Sequence, residues 1–340
     1  GVDQFVLTNA NDVSLAVIEY GAPVVSLCVP DRPGVFDDVV LGHEGLAGYL
    51  RTDSPYLGGV VGRYANRIAL GRFRLDGRQY QLPPNVGRPP LHGGLAGFDR
   101  RLWTAEPFHG PEGPAVRFSR VSPAGEEGYP GALTVSVTYA LTAANAVVVE
   151  YEAATDAPTV VNLTQHSYFN LAGLRAGDGR GALPDVLGHE LQVLADAYTP
   201  VDEGLIPVGA LAPVGGTPFD FRSRTAIGAR IDAPHEQLRR GHGYDHNFVV
   251  RRHGEGLAVA ARLTDPVSGR TLEVATTEPG VQLYTGNALD GRIVGKGGRA
   301  LARRCGVCLE TQHFPDSPNH AAFPSAVLRP GERYHSRTVF

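Results

Sequence analysis

The chain has 340 residues with 42% hydrophobic composition, 43 glycines and 26 prolines. It is long enough to bury a substantial core and turns too often for a helical bundle. Its 31 Lys and Arg against 35 Asp and Glu leave a formal charge of −4, without the strongly basic surface of a nucleic-acid binder or a membrane-surface domain. The basic pairs Arg239-Arg240, Arg251-Arg252 and Arg303-Arg304 are too short and scattered to form a phosphate track.

No stretch approaches a membrane span, and the first residues lack a basic segment leading into an apolar signal core. The cytoplasm is therefore expected, although Gly1 in place of an initiating Met leaves a removed signal open. In chain order, Val13, Leu15 and Val17 alternate, residues 19–23 turn, and residues 24–29 resume an extended apolar run. A short helix is expected within 43–50. Strands are expected over 68–73 and 74–82, with Asp76-Gly77 as a hairpin signal, and over 116–119. The clearest strand is Leu133–Leu141, where Leu133, Val135, Val137, Tyr139 and Leu141 alternate with smaller or polar residues. Residues 142–146 break it, and 147–151 return antiparallel.

Further strands are expected over 159–163, 189–194, 257–264, 271–276, 281–285, 306–310 and 334–340, with short helices over 224–231 and 233–240. Sustained helices do not alternate with these strands, which argues against doubly wound and barrel α/β folds. The expectation is all-β: two large, mainly antiparallel sheets packed face to face. The glycine-rich stretch 178–185 is too short to mark a boundary, so residues 1–340 are read as a single domain.

Several loops concentrate directional polar groups. Asn66-Arg67 precedes a strand-like run, and its arginine can present a fork of donors to hydroxyl oxygens. His92 lies between Pro89-Pro90 and Gly93-Gly94, where the chain is restricted on one side and free to turn closely on the other. His166 sits in Asn-Leu-Thr-Gln-His-Ser-Tyr-Phe-Asn over 162–170, at the end of a β run. It is either a general acid of near-neutral pKa or the anchor of the Tyr168-Asn170 turn. Asp245 either fixes sugar hydroxyls or caps its loop. Glu310 closes the apolar run Gly306-Val307-Cys308-Leu309 and abuts a polar loop stopped by Pro315, which holds a carboxylate rigidly beside open space. A fixed carboxylate and a fixed imidazole from remote strands are the minimum for general acid–base chemistry.

Cys28, Cys305 and Cys308 give no disulfide framework. Cys305-x-x-Cys308 falls in a strand rather than at a strand-to-helix turn, and is read as structural thiols. His242, His246, His313 and His320 show no metal-ligand spacing. Dinucleotide, phosphate-loop and nucleophile-elbow motifs are absent, so no cofactor is needed to explain the chain.

Taken together, the loops resemble the aldose 1-epimerase, or galactose mutarotase, family. The matching segments are Asn66-Arg67, Leu91-His92-Gly93-Gly94, 162–173, 197–202, Gly215 with 217–220, 243–247, 278–287, 308–312 and 328–334, in the expected order over nearly the whole chain. The resemblance implies a β-supersandwich with an open cleft for a monosaccharide. It implies Glu310 as general base, His166 as general acid and His92 as support for the ring oxygen or developing charge. Arg67 and Asp245 would orient the sugar, and Asn66, Tyr168 and Gln282 would add contacts. Glu278 replaces the Gln that many relatives carry before Pro279, and is expected to tune the rim. The implied activity interconverts the anomers of free hexoses such as D-galactose and D-glucose without metal, nucleotide or redox cofactor. The implied partner is a monosaccharide, with no nucleic acid or membrane, for a monomer or weak homodimer. A hexose-6-phosphate 1-epimerase and a non-catalytic sugar-binding protein are the alternatives.

Overall fold

A computed structural model describes residues 1–83, 90–175, 182–254 and 256–340. Pro89 and the 178–181 part of the glycine-rich stretch lie outside the described residues. A nine-stranded sheet runs in the order Thr225–Ala226, Glu190–Val193, Ala258–Thr264, Thr271–Thr276, Tyr334–Val339, Val147–Thr155, Leu133–Leu141, Gly113–Ser122 and Thr104–Gly110. A five-stranded sheet runs Ala212–Pro213, Ala195–Tyr198, Asp245–Val250, Gly280–Tyr284 and Cys308–Gln312. A four-stranded meander is formed by Gln4–Thr8, Ser14–Ile18, Val24–Pro30 and Phe36–Asp38. The ladders within these three sheets are antiparallel. This is the all-β fold of large sheets expected from the strand patterns.

The period-2 alternation of Leu133–Leu141 explains its place. Val137 pairs with Tyr151 and Tyr139 with Val149, and the five alternating apolar residues are all buried. They join Phe248, Val281, Leu283 and Leu309 from the five-stranded sheet in one core cluster. Burying each such side chain contributes about 1.5–3 kcal/mol relative to exposure. The apolar face of the five-stranded sheet is thus fixed against the core, which leaves its opposite face for polar residues.

Local differences from expectation have physical causes. The strand expected over 68–73 is instead a 3-10 turn, Ala69–Gly71, followed by the strand Arg72–Leu75. Leu70 there has φ 53° and is 73% exposed, so the apparent alternation does not reflect an extended chain. Asp76-Gly77 does close the hairpin, both residues having positive φ as a tight turn requires. Leu46–Tyr49 is the short helix expected within 43–50, and the one expected over 233–240 runs instead over Glu236–Gly241. His235 caps the latter by accepting the Gln237 N–H, which sets its start. Over 224–231 the chain makes a short pairing, Thr225–Ala226, then a 3-10 turn, Ile227–Ala229, because Thr225 and Ala226 extend the edge of the large sheet. The strand expected over 159–163 is regular only at Thr159–Val160, and at Asn162 the backbone changes partner to bridge Tyr64 in parallel. Among the described residues, no helix is long and apolar enough to cross a membrane.

Candidate active site

The polar face of the five-stranded sheet carries the first half of the site. Its register places Asn247 opposite Gln282 and Gln282 opposite Glu310, with Asp245 opposite Tyr284 and Tyr284 opposite Cys308. Because side chains alternate along a strand, these six residues and Gln312 share one face, while Leu283, Leu309 and Phe248 point into the core. Gln282 Nε2 donates to Asp245 Oδ1 at 2.7 Å, and Gln312 Nε2 lies 3.4 Å from both Gln282 Oε1 and Asn247 Oδ1. This chain of amides fixes Asp245 two strands away from Glu310.

The second half comes from loops stitched onto that sheet. The buried side chain of Asn162 donates to the carbonyls of Ala65 and His313 and accepts from the His313 N–H, tying three remote segments together. His166 N–H donates to Gly59 O and His166 O accepts from Gly58 N–H, so its backbone is held from both sides. His92 N–H donates to Asn66 O, and Asn66 N–H returns a bond to His92 Nδ1 at 3.2 Å. An Nδ1 that accepts places the proton of the neutral ring on Nε2, making His92 a donor there. His92 takes φ 53°, and a Cβ on Gly93 (φ 91°) would stand 1.9 Å from Gly62 O, so the turn behind the ring requires glycine.

These elements bring His92, His166 and Glu310 together, with one nitrogen or oxygen of each lying within 4.8 Å of the others. It is the one trio of His, Cys, Asp or Glu among the described residues whose spacing would also suit a metal ion. His166 Nε2 and Glu310 Oε2 are 3.6 Å apart, beyond a direct hydrogen bond, and both side chains are buried. Glu310 Oε2 has no hydrogen-bond partner among the described residues. Burial first, and the Asp245 charge second, push the Glu310 carboxyl well above its usual range, against the pull of Arg67. Burial lowers His166 to about 4. Burial, with His166 and Arg67 adding to it, holds His92 well below the usual imidazole value. Asp245 is raised by burial against the opposing effects of Arg67 and the Gln282 hydrogen bond. The arrangement can hold one proton on either member of the Glu310–His166 pair, with Arg67, Asp245 and His92 as directional groups around it.

Asn66, Arg67, His92, His166, Asp245, Gln282 and Glu310, the expected polar set, therefore converge, and Arg67 Nη1 reaches Asn66 Oδ1 at 3.3 Å. Tyr168 stands differently. It is 2% exposed, its hydroxyl donates to Pro55 O, and its ring stacks on His166 at a centroid distance of 5.0 Å. It backs the imidazole rather than offering a free hydroxyl. His246 faces the interior, where Nδ1 accepts the Asp245 N–H and Nε2 meets Gln237 Oε1.

Three participants are not singled out by the sequence reading. Cys308 Sγ lies 3.5 Å from His166 Nδ1, Tyr284 packs edge-on to His166, and Tyr56 touches the rings of both His92 and His166. Cys308 carries the signal of alternating with Glu310 on one strand. Tyr56, in a proline-flanked loop, carries none.

Glu278 is corrected by the structure. It is 3% exposed, an interior residue and not one at a rim. There Oε2 takes a 2.6 Å bond from His313 Nδ1, and Oε1 accepts from Tyr334 Oη at 3.1 Å. Burial alone would raise its carboxyl, but His313 and these hydrogen bonds bring it below the ordinary 4.5. The same pairing outweighs burial at His313 and lifts it above 6.5. The stabilisation from the depressed carboxyl is present above pH 4.5 and lost as pH falls through its folded value. That from the raised imidazole is full below pH 6.5 and lost as pH rises through its folded value. Glu278→Gln therefore lowers Tm most between these limits, and the deficit shrinks above neutral pH. Thermal melts of both proteins across pH check this, and a deficit that grows with rising pH would contradict it.

A family model described as aldose 1-epimerase matches residues 3–340. The galactose mutarotase of Rattus norvegicus is 48% identical over 339 residues, covering 100% of this chain and 93% of its own. The aldose 1-epimerase of Escherichia coli K12 is 39% identical over 338 residues, covering 98% and 94%. Among solved structures, an aldose epimerase homologue from C. elegans superposes with a TM-score of 0.88 at 30% identity, covering 100% of this chain and 98% of that one. A galactose 1-epimerase from Lactobacillus acidophilus superposes with a TM-score of 0.85 at 27% identity, covering 100% and 97%.

Proposed function

We propose that this chain, which belongs to the aldose 1-epimerase family, interconverts the α and β anomers of free hexoses such as D-galactose and D-glucose. The observation that carries the proposal is the buried Glu310–His166 pair, 3.6 Å apart and grouped with His92. Glu310 takes the proton of the C1 hydroxyl while His166 protonates the ring oxygen, and the C1–O5 bond breaks. The open-chain aldehyde rotates about C1–C2 and closes on its other face as both protons return. Atoms and charge balance without a cofactor.

Ring opening converts a carboxylate and imidazolium into a carboxylic acid and a neutral imidazole, two states that hold one proton between them. Burial of both groups favours the neutral pair in the free site. Arg67 works the other way at Glu310, drawing its carboxyl down toward the ionised form that a base requires. His92 offers its Nε2–H to the ring oxygen or to charge developing there. Arg67, Asn66, Asp245 and Gln282 orient the hydroxyls, and Tyr168 contributes through His166. The three cysteines are free, in keeping with a reducing cytoplasm as the site of action.

Arg67→Lys should raise KM more than it lowers kcat, because a point charge replaces the guanidinium fork. Loss of one or two charge-assisted bonds corresponds to about 10–100-fold. Steady-state kinetics on galactose measure this split, and an unchanged KM would remove Arg67 from sugar binding. The activity itself is tested by exchange NMR of the anomeric protons at equilibrium, with free and 6-phosphorylated hexoses. Faster α–β exchange of the free sugars supports the proposal. Exchange confined to phosphorylated sugars, or sugar binding without exchange, overturns it.

A further inference from the structure

We propose that Tyr56 is a positioning residue for His166, its ring face holding the imidazole in place and stabilising the protonated form that donates to the sugar ring oxygen. This rests on the epimerase reading and assigns a role to a residue outside the expected set. The imidazole lies against two near-parallel tyrosine rings, Tyr56 at 5.8 Å and 20° and Tyr168 at 5.0 Å and 23°. Tyr56 also meets His92 at 4.6 Å, so one ring braces both histidines.

The attachment of Tyr56 is built for this contact. Tyr168 Oη donates to Pro55 O, Gly58 N–H donates to His166 O, and Gln165 Nε2 donates to Gly58 O at 2.7 Å. The loop carrying Tyr56 is thereby locked onto the segment carrying His166. Tyr56 itself has φ 62°, a left-handed conformation that an aromatic residue rarely adopts, and the fixed loop holds it there. An aromatic face attracts a cation placed over it, and desolvation strengthens the attraction.

The other groups facing His166 have different roles. Glu310 opposes Nε2, Cys308 faces Nδ1, and the rings of His92 and Tyr284 meet it edge-on. Cys308 is a protonated thiol, raised by burial, and supplies no compensating charge. Around Tyr56 the charged groups are Asp99, Arg100 and Arg67, and burial, the largest effect, keeps its phenol protonated. The two tyrosine faces therefore favour an imidazolium in this buried place, alongside Glu310 and a backbone hydrogen bond at His166 itself.

The test compares Tyr56→Phe, which keeps the ring, with Tyr56→Leu and Tyr56→Asn, which remove it; Asn tolerates the left-handed backbone if Leu does not fold. Loss of the ring should lower kcat about 10-fold with KM changed less than about 3-fold, and Phe should restore most of that loss. Independently of turnover, His166 is titrated by NMR in a Glu310→Gln background, where it carries the pair's proton alone. Its midpoint should fall by about one pH unit on removing the ring, the equivalent of that 10-fold change, and recover with Phe. An unmoved midpoint overturns the proposal. A raised KM with unchanged kcat overturns it too, and would make Tyr56 a platform for the sugar. Since the NMR titration needs no catalysis, a protein without epimerase activity would still yield a midpoint, and the two failures remain distinct.

Discussion

Glu310→Gln lowers kcat for anomer interconversion by about 10²–10⁴-fold while the protein stays folded. The amide has the carboxylate's shape but cannot accept the C1 hydroxyl proton. Stability should hold or rise, because Glu310 Oε2 has no hydrogen bond to lose and burial and Asp245 both oppose its charge. The residual rate has a distinctive pH dependence. His166 remains as the acid, so activity falls as pH rises through its low value and the imidazolium disappears. Polarimetric rates across pH, with thermal melts at each, separate this outcome from misfolding. A large drop in Tm with normal specific activity of the folded fraction would make Glu310 structural.

His166→Asn should cost turnover a similar 10²–10⁴-fold, with the opposite pH slope. Glu310 then acts without a partner acid, and the residual rate climbs as it ionises, at a pH above the ordinary carboxylate range. Unlike the first substitution, this one destabilises by about 1–3 kcal/mol, since it empties space beside Tyr56 and Tyr168 and removes the neighbour of Cys308. The wild-type profile should be bell-shaped, with its two limbs belonging to the coupled pair rather than to either residue. Residual rates that slope the same way in both variants would contradict the division of labour between base and acid.

How far the sequence leads is visible residue by residue. Leu133–Leu141 is legible because one of its faces must be buried, and burial imposes a period of two, whereas Cys308–Gln312 is buried on both faces and carries Glu310 at its centre rather than at the end of the apolar run. His166 and Glu310 stand out because each is a polar group set in or against an apolar run, His166 just past the strand Thr164–Gln165 and Glu310 inside Cys308–Gln312. Their meeting is a tertiary fact, made by Asn162 and the backbone bonds of Gly58 and Gly59. The Glu278–His313 pair is illegible for the same reason: partners 35 positions apart leave no local pattern, and a carboxylate beside Pro279 reads as a loop residue. Tyr56 is hidden more thoroughly, since its function depends on a left-handed φ and on which ring lies over it. Leu70 misleads in the other direction, its left-handed φ breaking a run that alternates like a strand.

Everything proposed for the site turns on Glu310 and His166 opening and reclosing the sugar ring. It is tested most directly by following optical rotation after adding the protein to freshly dissolved α-D-galactose, with Glu310→Gln at equal concentration beside it. Wild type should speed the approach to an unchanged equilibrium rotation, whereas the variant should barely exceed the spontaneous rate. Equal acceleration by both proteins, or none by wild type, would contradict it.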